Sequence, residues 1–347
     1  MSGVINRFIE NAGWPRIIIG LFLLFLFAAA PFVGVRVDTS ISDTLVRVGM
    51  NGILVLAMVP MVQSGCGLNF GLPLGIIAGL LGATASIQFK ATGMGGFIFA
   101  VSAAVPIAVI LGFAYAQILN RVKGEEMMVA TYVGFSSVAL MCMAWLLLPF
   151  DSAVMIWGYG GSGLRTTIST EGFWKHVLSD FLSVQHGFFY FPTGMFLFFA
   201  LMILLVWAFF RTKTGTAIIA VGSNPEFARA SGINVDRMRA ISVVLSTVLG
   251  AIGIIVYEQS FGFIQLYMGP LYMAFPAVAA ILLGGASVNK ASMVNVVVGT
   301  FLFQGILTMT PSVINGLLKS DMSEVVRIVV SNGMILYALT RKTRVKR

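Results

Sequence analysis

An all-α polytopic membrane protein is the fold class this 347-residue sequence predicts, and three observations carry the prediction. Hydrophobic residues make up 58% of the chain and charged residues 10%, with a mean hydropathy of +0.94. Soluble domains carry about 25% charged residues, so this chain has too few to solvate a globular surface of its size. Its apolar residues also gather in runs of about 17–25, the length a bilayer core requires. Its basic residues sit in short clusters between those runs, where membrane topology places them.

Ten such runs follow one another, at roughly 17–33, 45–62, 72–89, 97–119, 127–148, 193–210, 240–258, 268–285, 292–309 and 325–340. The first is too long for a removed signal peptide. Pro31-Phe32-Val33 after it offers no small-x-small cleavage site, so it reads as a retained helix. An even number of spans puts both termini on one side. With the termini inside, fifteen of the 22 basic residues fall in inner segments, among them Arg7, Arg16, Arg121, Arg211, Arg237, Arg239 and the run Arg341–Arg347. The outer segments and outer helix ends hold the rest, including Arg36, Arg47, Lys90, Lys319 and Arg327. This bias predicts cytoplasmic termini. The net charge of +9 therefore reports topology, and nucleic acid is not an expected partner. Cys66 and Cys142 both lie in apolar stretches, with neither metal-ligand spacing nor a disulfide framework.

The chain reads as a single transmembrane domain, 1–347, with two long connections. The outer one, 149–192, holds the turn-rich Gly158-Tyr-Gly-Gly-Ser-Gly163 and the aromatics Trp157, Trp174, Phe188, Phe189, Tyr190 and Phe191, which favour the lipid–water interface. Part of it is expected to form a short helix on the outer surface. The inner one, 211–239, is the more informative. Asn224 is a good N-cap, Pro225 suits a first helical position that needs no N–H donor, and Glu226 complements the positive helix end. Gly232 can take the left-handed conformation that ends a helix. A helix over about 225–231 follows, too short to be stable alone. On the residues alone it is either an ordinary helix in a solvated loop or a peg for something that docks there.

The stretch Ala220-Val-Gly-Ser-Asn-Pro-Glu-Phe-Ala-Arg-Ala-Ser-Gly-Ile-Asn-Val235 resembles the coupling-helix segment of bacterial ATP-binding-cassette importer permeases of the ribose, simple-sugar, nucleoside and branched-chain amino-acid group. The matching positions are Gly222, Asn224, Ala228, Ser231, Gly232 and Ile233, and the likeness continues through 249–253 and 277–287. The resemblance implies a permease subunit of the bacterial inner membrane. Gly222, Asn224, Pro225, Glu226, Ala228, Arg229, Gly232 and Ile233 would form its coupling segment. It also implies a separate cytoplasmic ATPase that binds ATP and Mg, an extracytoplasmic solute-binding protein and a second permease chain, identical or paralogous. No cofactor is expected on this chain.

Two apolar segments are interrupted by Gly and Pro: 65–75 and 262–276. They enter the membrane from opposite sides, within an inverted repeat of roughly 45–148 against 240–340. Paired interrupted segments point to a transport pathway. Asn69, Phe70, Gln259, Gln265, Tyr267, Tyr272 and Phe275 are the candidates to line it. The same glycines and prolines would equally permit close packing and kinks, as expected at Pro60 and Pro106, and a buried amide serves as interhelical glue just as well. Glu258 ends its span and is expected to face outer water. Glu324 and Arg327 are spaced to pair on one helix turn.

No span carries a run of acidic residues, which disfavours ion coupling. Amides, hydroxyls and aromatics suit a small polar solute, most simply a sugar or nucleoside. Segments 124–131 and 323–329 look like the nucleoside branch, whereas Leu68-Asn-Phe-Gly-Leu72 departs from the sugar branch. A secondary transporter or channel is the alternative, and it leaves the capped inner helix unexplained. An enzyme is not expected: His176 and His186 are the only histidines and both lie in the outer loop. The topology has a direct check. A fluorescent protein that matures only in the cytoplasm, fused after Arg347, is expected to light up, and a phosphatase active only outside is expected to stay silent there.

Overall fold

The computed structural model describes residues 14–157, 163–318 and 322–340. The turn-rich stretch at 158–162, Arg7, Lys319 and the basic run Arg341–Arg347 lie outside the described residues. Each of the ten apolar runs is a helix. They are α1 (Trp14–Ala29), α2 (Val37–Leu56) continued by α3 (Met58–Gln63), α4 (Leu72–Gln88), α5 (Gly93–Arg121), α6 (Glu126–Leu147), α7 (Thr193–Arg211), α10 (Val235–Phe261), α11 (Gly269–Leu283), α12 (Met293–Leu318) and α13 (Ser323–Thr340). Seven are long and apolar enough to cross a membrane by length and composition, and α4 and α11 are shorter apolar helices.

The inner connection holds two helices, α8 (Lys213–Ser223) and α9 (Pro225–Ala230). The first was not expected. Thr212 caps it, its side chain accepting from the Gly215 N–H. The outer connection differs from its expectation too. Among its described residues there is no helix but three short strands, β1 (Thr167–Ser169), β2 (Val184–His186) and β3 (Phe189–Phe191). Strands β2 and β3 form an antiparallel hairpin, and β1 pairs antiparallel with β4 (Phe263–Gln265), which follows α10. The reason lies in backbone bonding. The segment after α10 leaves the helix at Gly262, at φ +85°, and its freed N–H and C=O groups need partners that a helix in the loop could not supply. Tyr190 fastens the hairpin down: its N–H donates to Ser42 Oγ of α2 (2.8 Å) and its hydroxyl to the Ser179 carbonyl (2.6 Å). Burial and the neighbouring Asp180 charge push its phenol up to about 12.

The helix contacts repeat themselves. Helix α10 packs on α5 and α4, and α2 packs on α12 and α11. Helix α4 touches α5 and α6, while α11 touches α12 and α13. Exchanging α2 with α10, α4 with α11, α5 with α12 and α6 with α13 maps each contact onto another. The two halves are joined where α2 meets α10 and α4 meets α11. The loop after α3 lies against α8, and the loop after α10 lies against the outer connection. Since α7 crosses between those two connections, equivalent loops sit on opposite faces, the relation an inverted repeat requires.

The centre is built on small residues. A Cβ at Gly75 would meet the Thr247 carbonyl oxygen at 2.5 Å, one at Gly79 would meet that of Ala251 at 2.5 Å, and one at Gly253 would meet Leu54. In lipid, apolar burial gives no net drive between helices, so close backbone approach through Gly and Ala does the joining. Pro60 breaks α2 from α3, because it has no N–H for the carbonyl four residues back, whereas α5 continues through Pro106. Replacing Gly79 with Val should force α4 off α10 and cost about 1–3 kcal/mol. Thermal unfolding of the detergent-purified chain is expected to shift down by several degrees. Gly95→Ala, where a Cβ meets nothing within 4 Å, is expected to leave the midpoint in place.

Candidate functional site

Helix α9 is capped at both ends as its sequence requires. The Asn224 side chain accepts from the Phe227 N–H at 3.0 Å. At the other end Gly232 sits at φ +80°. Its N–H donates to the Arg229 carbonyl, and the Ile233 N–H to the Ala228 carbonyl, each at 3.0 Å. This pair of bonds closes a Schellman motif. Ala228 is fully buried with Val221 and Val235, and Ile233 and Met238 pack against them. Thus Ala228 and Ile233 face the protein and hold α9 to α8 and α10. The outward side carries Glu226 and Arg229, which pair at 3.4 Å, and Phe227, which is 67% exposed.

Phe227 escaped the sequence reading. An aromatic inside a short helix ordinarily packs inward. Its neighbour Ala228 is the residue that does, and one position of offset on a helix turns the next side chain about 100° away.

Beneath α9, α8 rests on the loop after α3. A Cβ on Gly222 would fall on the Gln63 carbonyl, and one on Gly65 would lie 3.1 Å from the Gly222 Cα. Gly222 is therefore a point of backbone-to-backbone contact. Gly65 and Gly67 turn this loop at φ +77° and +79°. The Gln63 amide reaches across to donate to the Ala291 carbonyl between α11 and α12. Two further ties close this face: Arg239 of α10 meets Glu126 of α6 at 3.1 Å with both side chains largely buried, and Lys123 meets Asp236 at 3.1 Å.

Within the membrane region the candidate pathway residues divide into two groups. Asn69 is fully buried. Its Nδ2 donates to Ser246 Oγ of α10 (2.7 Å), and its Oδ1 accepts from the Tyr115 hydroxyl of α5 (3.2 Å). Ser246 in turn donates to the Ala57 carbonyl at the α2–α3 break (2.5 Å). Gln259 is likewise fully buried: its Oε1 accepts from the Leu178 N–H (3.1 Å) and its Nε2 donates to Ser179 Oγ (3.3 Å). Both amides act here as ties between elements.

Of the remaining candidates, Tyr272 and Phe275 lie on α11, Phe70 in the loop before α4, and Gln265 and Tyr267 between α10 and α11. The Phe70 and Phe275 rings are 6.2 Å apart, and Phe135 of α6, not singled out from sequence, stands 5.9 Å from Phe275. Tyr272 is 68% exposed. Tyr267 donates to the Leu164 carbonyl at 3.0 Å and its own carbonyl receives the Cys142 thiol. Gln265 sits in β4, partly buried. Glu258 corrects an expectation. It is 0% exposed rather than open to outer water, because the outer connection folds over the end of α10. Glu324 and Arg327 do pair, at 2.8 Å.

Residues 40–339 match the family described as branched-chain amino acid transport system / permease component. Among curated proteins, the chain is 25% identical over 243 residues to the nucleoside ABC transporter permease protein NupB of Lactococcus lactis, covering 65% of this chain and 62% of that one. It is 25% identical over 249 residues to the autoinducer 2 import system permease protein LsrC of an Enterobacter species, covering 69% and 67%. It is 28% identical over 204 residues to the xylose transport system permease protein XylH of Escherichia coli, covering 57% and 46%. The match thus spans between about half and two thirds of these relatives' length. No solved structure matches. Among the interactions described above, the Asn69 bridge is the most exposed to a test. Ser246→Ala strands the Asn69 amide and removes the hydroxyl bond to the Ala57 carbonyl, and should cost about 1–2 kcal/mol, read as a lowered midpoint in thermal unfolding and faster chymotrypsin cleavage at Leu68 and Phe70 of the 64–71 loop.

Proposed function

The chain belongs to the family of branched-chain amino acid transport system permease components, and from that membership we propose that it is the membrane subunit of an ATP-driven importer for a small polar solute. Its two termini face the cytoplasm, and it works with a cytoplasmic ATPase that holds ATP and Mg, an external solute-binding protein and a second permease chain. The observation that carries this reading is α9. A two-turn helix has little stability of its own, yet both of its ends are closed by side-chain and backbone bonds. It presents an exposed phenylalanine between two exposed charges. An aromatic anchor ringed by polar groups is the usual form of a binding hot spot. The socket for it is a groove on the ATPase.

The solute we propose is a sugar or nucleoside. The rings of Phe70, Phe135 and Phe275, with the exposed Tyr272, form a face suited to stacking against a sugar ring or base. That face stays accessible on α6 and α11, so a second chain placed opposite it would complete a passage. The named substrates of the relatives, nucleosides and xylose among them, are consistent with this chemistry.

Three substitutions test the coupling role. Asn224→Ala removes the cap, for about 1 kcal/mol. Gly232→Val forces a β-branched residue into the left-handed region, for about 1–3 kcal/mol. Phe227→Ser removes the anchor without disturbing the fold. Each is expected to reduce the ATPase recovered with the tagged permease, Phe227→Ser by tenfold or more. ATP-dependent uptake into vesicles should fall in parallel. Full ATPase recovery and uptake in all three variants would reject α9 as the docking element.

A further inference from the structure

On the half of the molecule nearest α8 and α9, an open groove of about 460 Å³ runs between α5, α7 and α10. Its walls are apolar: Phe113 of α5, Phe209 of α7, and Ile241, Val244 and Val248 of α10 are among them. The one charged residue that lines it is Arg237, in the first turn of α10. Neighbouring cations are already taken, Arg239 by Glu126 and Lys123 by Asp236. Among the described residues no carboxylate pairs with Arg237. Close by in sequence, the Arg211 guanidinium lies 4.8 Å above the Trp207 ring, a Trp–Arg pair of the kind found at headgroup depth. The groove therefore opens at its charged end where the headgroups of one leaflet lie, and runs from there into hydrocarbon.

We propose that this groove holds one acyl chain of an anionic glycerophospholipid from the leaflet on the α9 side, with its phosphodiester on Arg237. A guanidinium suits a phosphate because its fork of N–H donors matches two phosphate oxygens. A cation set between transmembrane helices at headgroup level favours anionic lipids. A sugar or nucleoside would find no hydroxyl or amide along these walls, and the groove stands apart from the aromatic face on α6 and α11. The site is independent of the importer reading. Its consequence would be local: the lipid would bridge α7, which leads into α8, to α10, which receives the chain after α9.

The full chain, purified in mild detergent and stripped of lipid, is titrated with phosphatidylglycerol or phosphatidylcholine of identical acyl chains, and retained lipid is counted by native mass spectrometry. Wild type should prefer phosphatidylglycerol by about fivefold, the ratio one interfacial cation supplies. Arg237→Gln, an exposed change, should erase the preference while leaving thermal unfolding unchanged. Ile241→Trp, which fills the groove, should lower retention of both lipids. Equal retention of the two lipids by wild type, or an undiminished preference in Arg237→Gln, overturns the proposal. So does an Ile241→Trp variant that breaks up an oligomer without losing lipid, because the groove would then belong to a second chain.

Discussion

Two helices in a bilayer gain nothing by hiding leucines from each other's lipid, so whatever holds a membrane chain together must come from contact at short range. In this protein that contact is the approach of α4 to α10, where Gly75 and Gly79 stand against the carbonyls of Thr247 and Ala251. Helix α5 packs on both, and α2 is brought in where Leu54 fills the space over Gly253. With the backbones this close, a single polar bridge can span three elements. Asn69 reaches Ser246 and Tyr115 only because α10 and α5 are near enough to accept and donate. The break between α2 and α3 is tied to the same bridge, since Ser246 also donates to the Ala57 carbonyl that lies at it.

The two interrupted segments solve one problem in two ways. Each must satisfy backbone groups that a helix no longer bonds. The segment at 64–71 folds on itself, with the Cys66 N–H returning to Met61 and the Leu72 N–H to Asn69. The segment after α10 instead borrows β1 from the outer connection. This is where the internal symmetry is broken, and it gives one face a lid fastened to the fold and the opposite face a loop left in contact with α8.

Much of this was legible in the sequence because a bilayer imposes a one-dimensional rule. A run of apolar residues of the right length has few other uses, and the ten helices follow the ten runs. The α9 helix was legible because Asn224, Pro225 and Gly232 each have a stereochemical reason to stand where they do. What stayed hidden depended on partners distant in the chain. Nothing near Thr167 announces that it will pair with Gln265. Glu258 reads as a residue at the mouth of a span until the outer connection is seen folded over it. Phe227 and Ala228 differ in role only through the direction each side chain takes from α9. The seat of α8 on Gly65 needed the full chain, since 157 residues separate Gly65 from Gly222.

That seat has a mechanical meaning. Side chains between two moving parts act as springs, because each can change rotamer and absorb part of a displacement. At Gly222 and Gly65 there are none, and backbone bears on backbone. Between Gly222 and the turn that connects α3 to α4 there is no compliant layer to cross. The joint is a stiff bearing rather than a cushion, and the lost motion that would otherwise accumulate there is kept small by the two residues with the least to give.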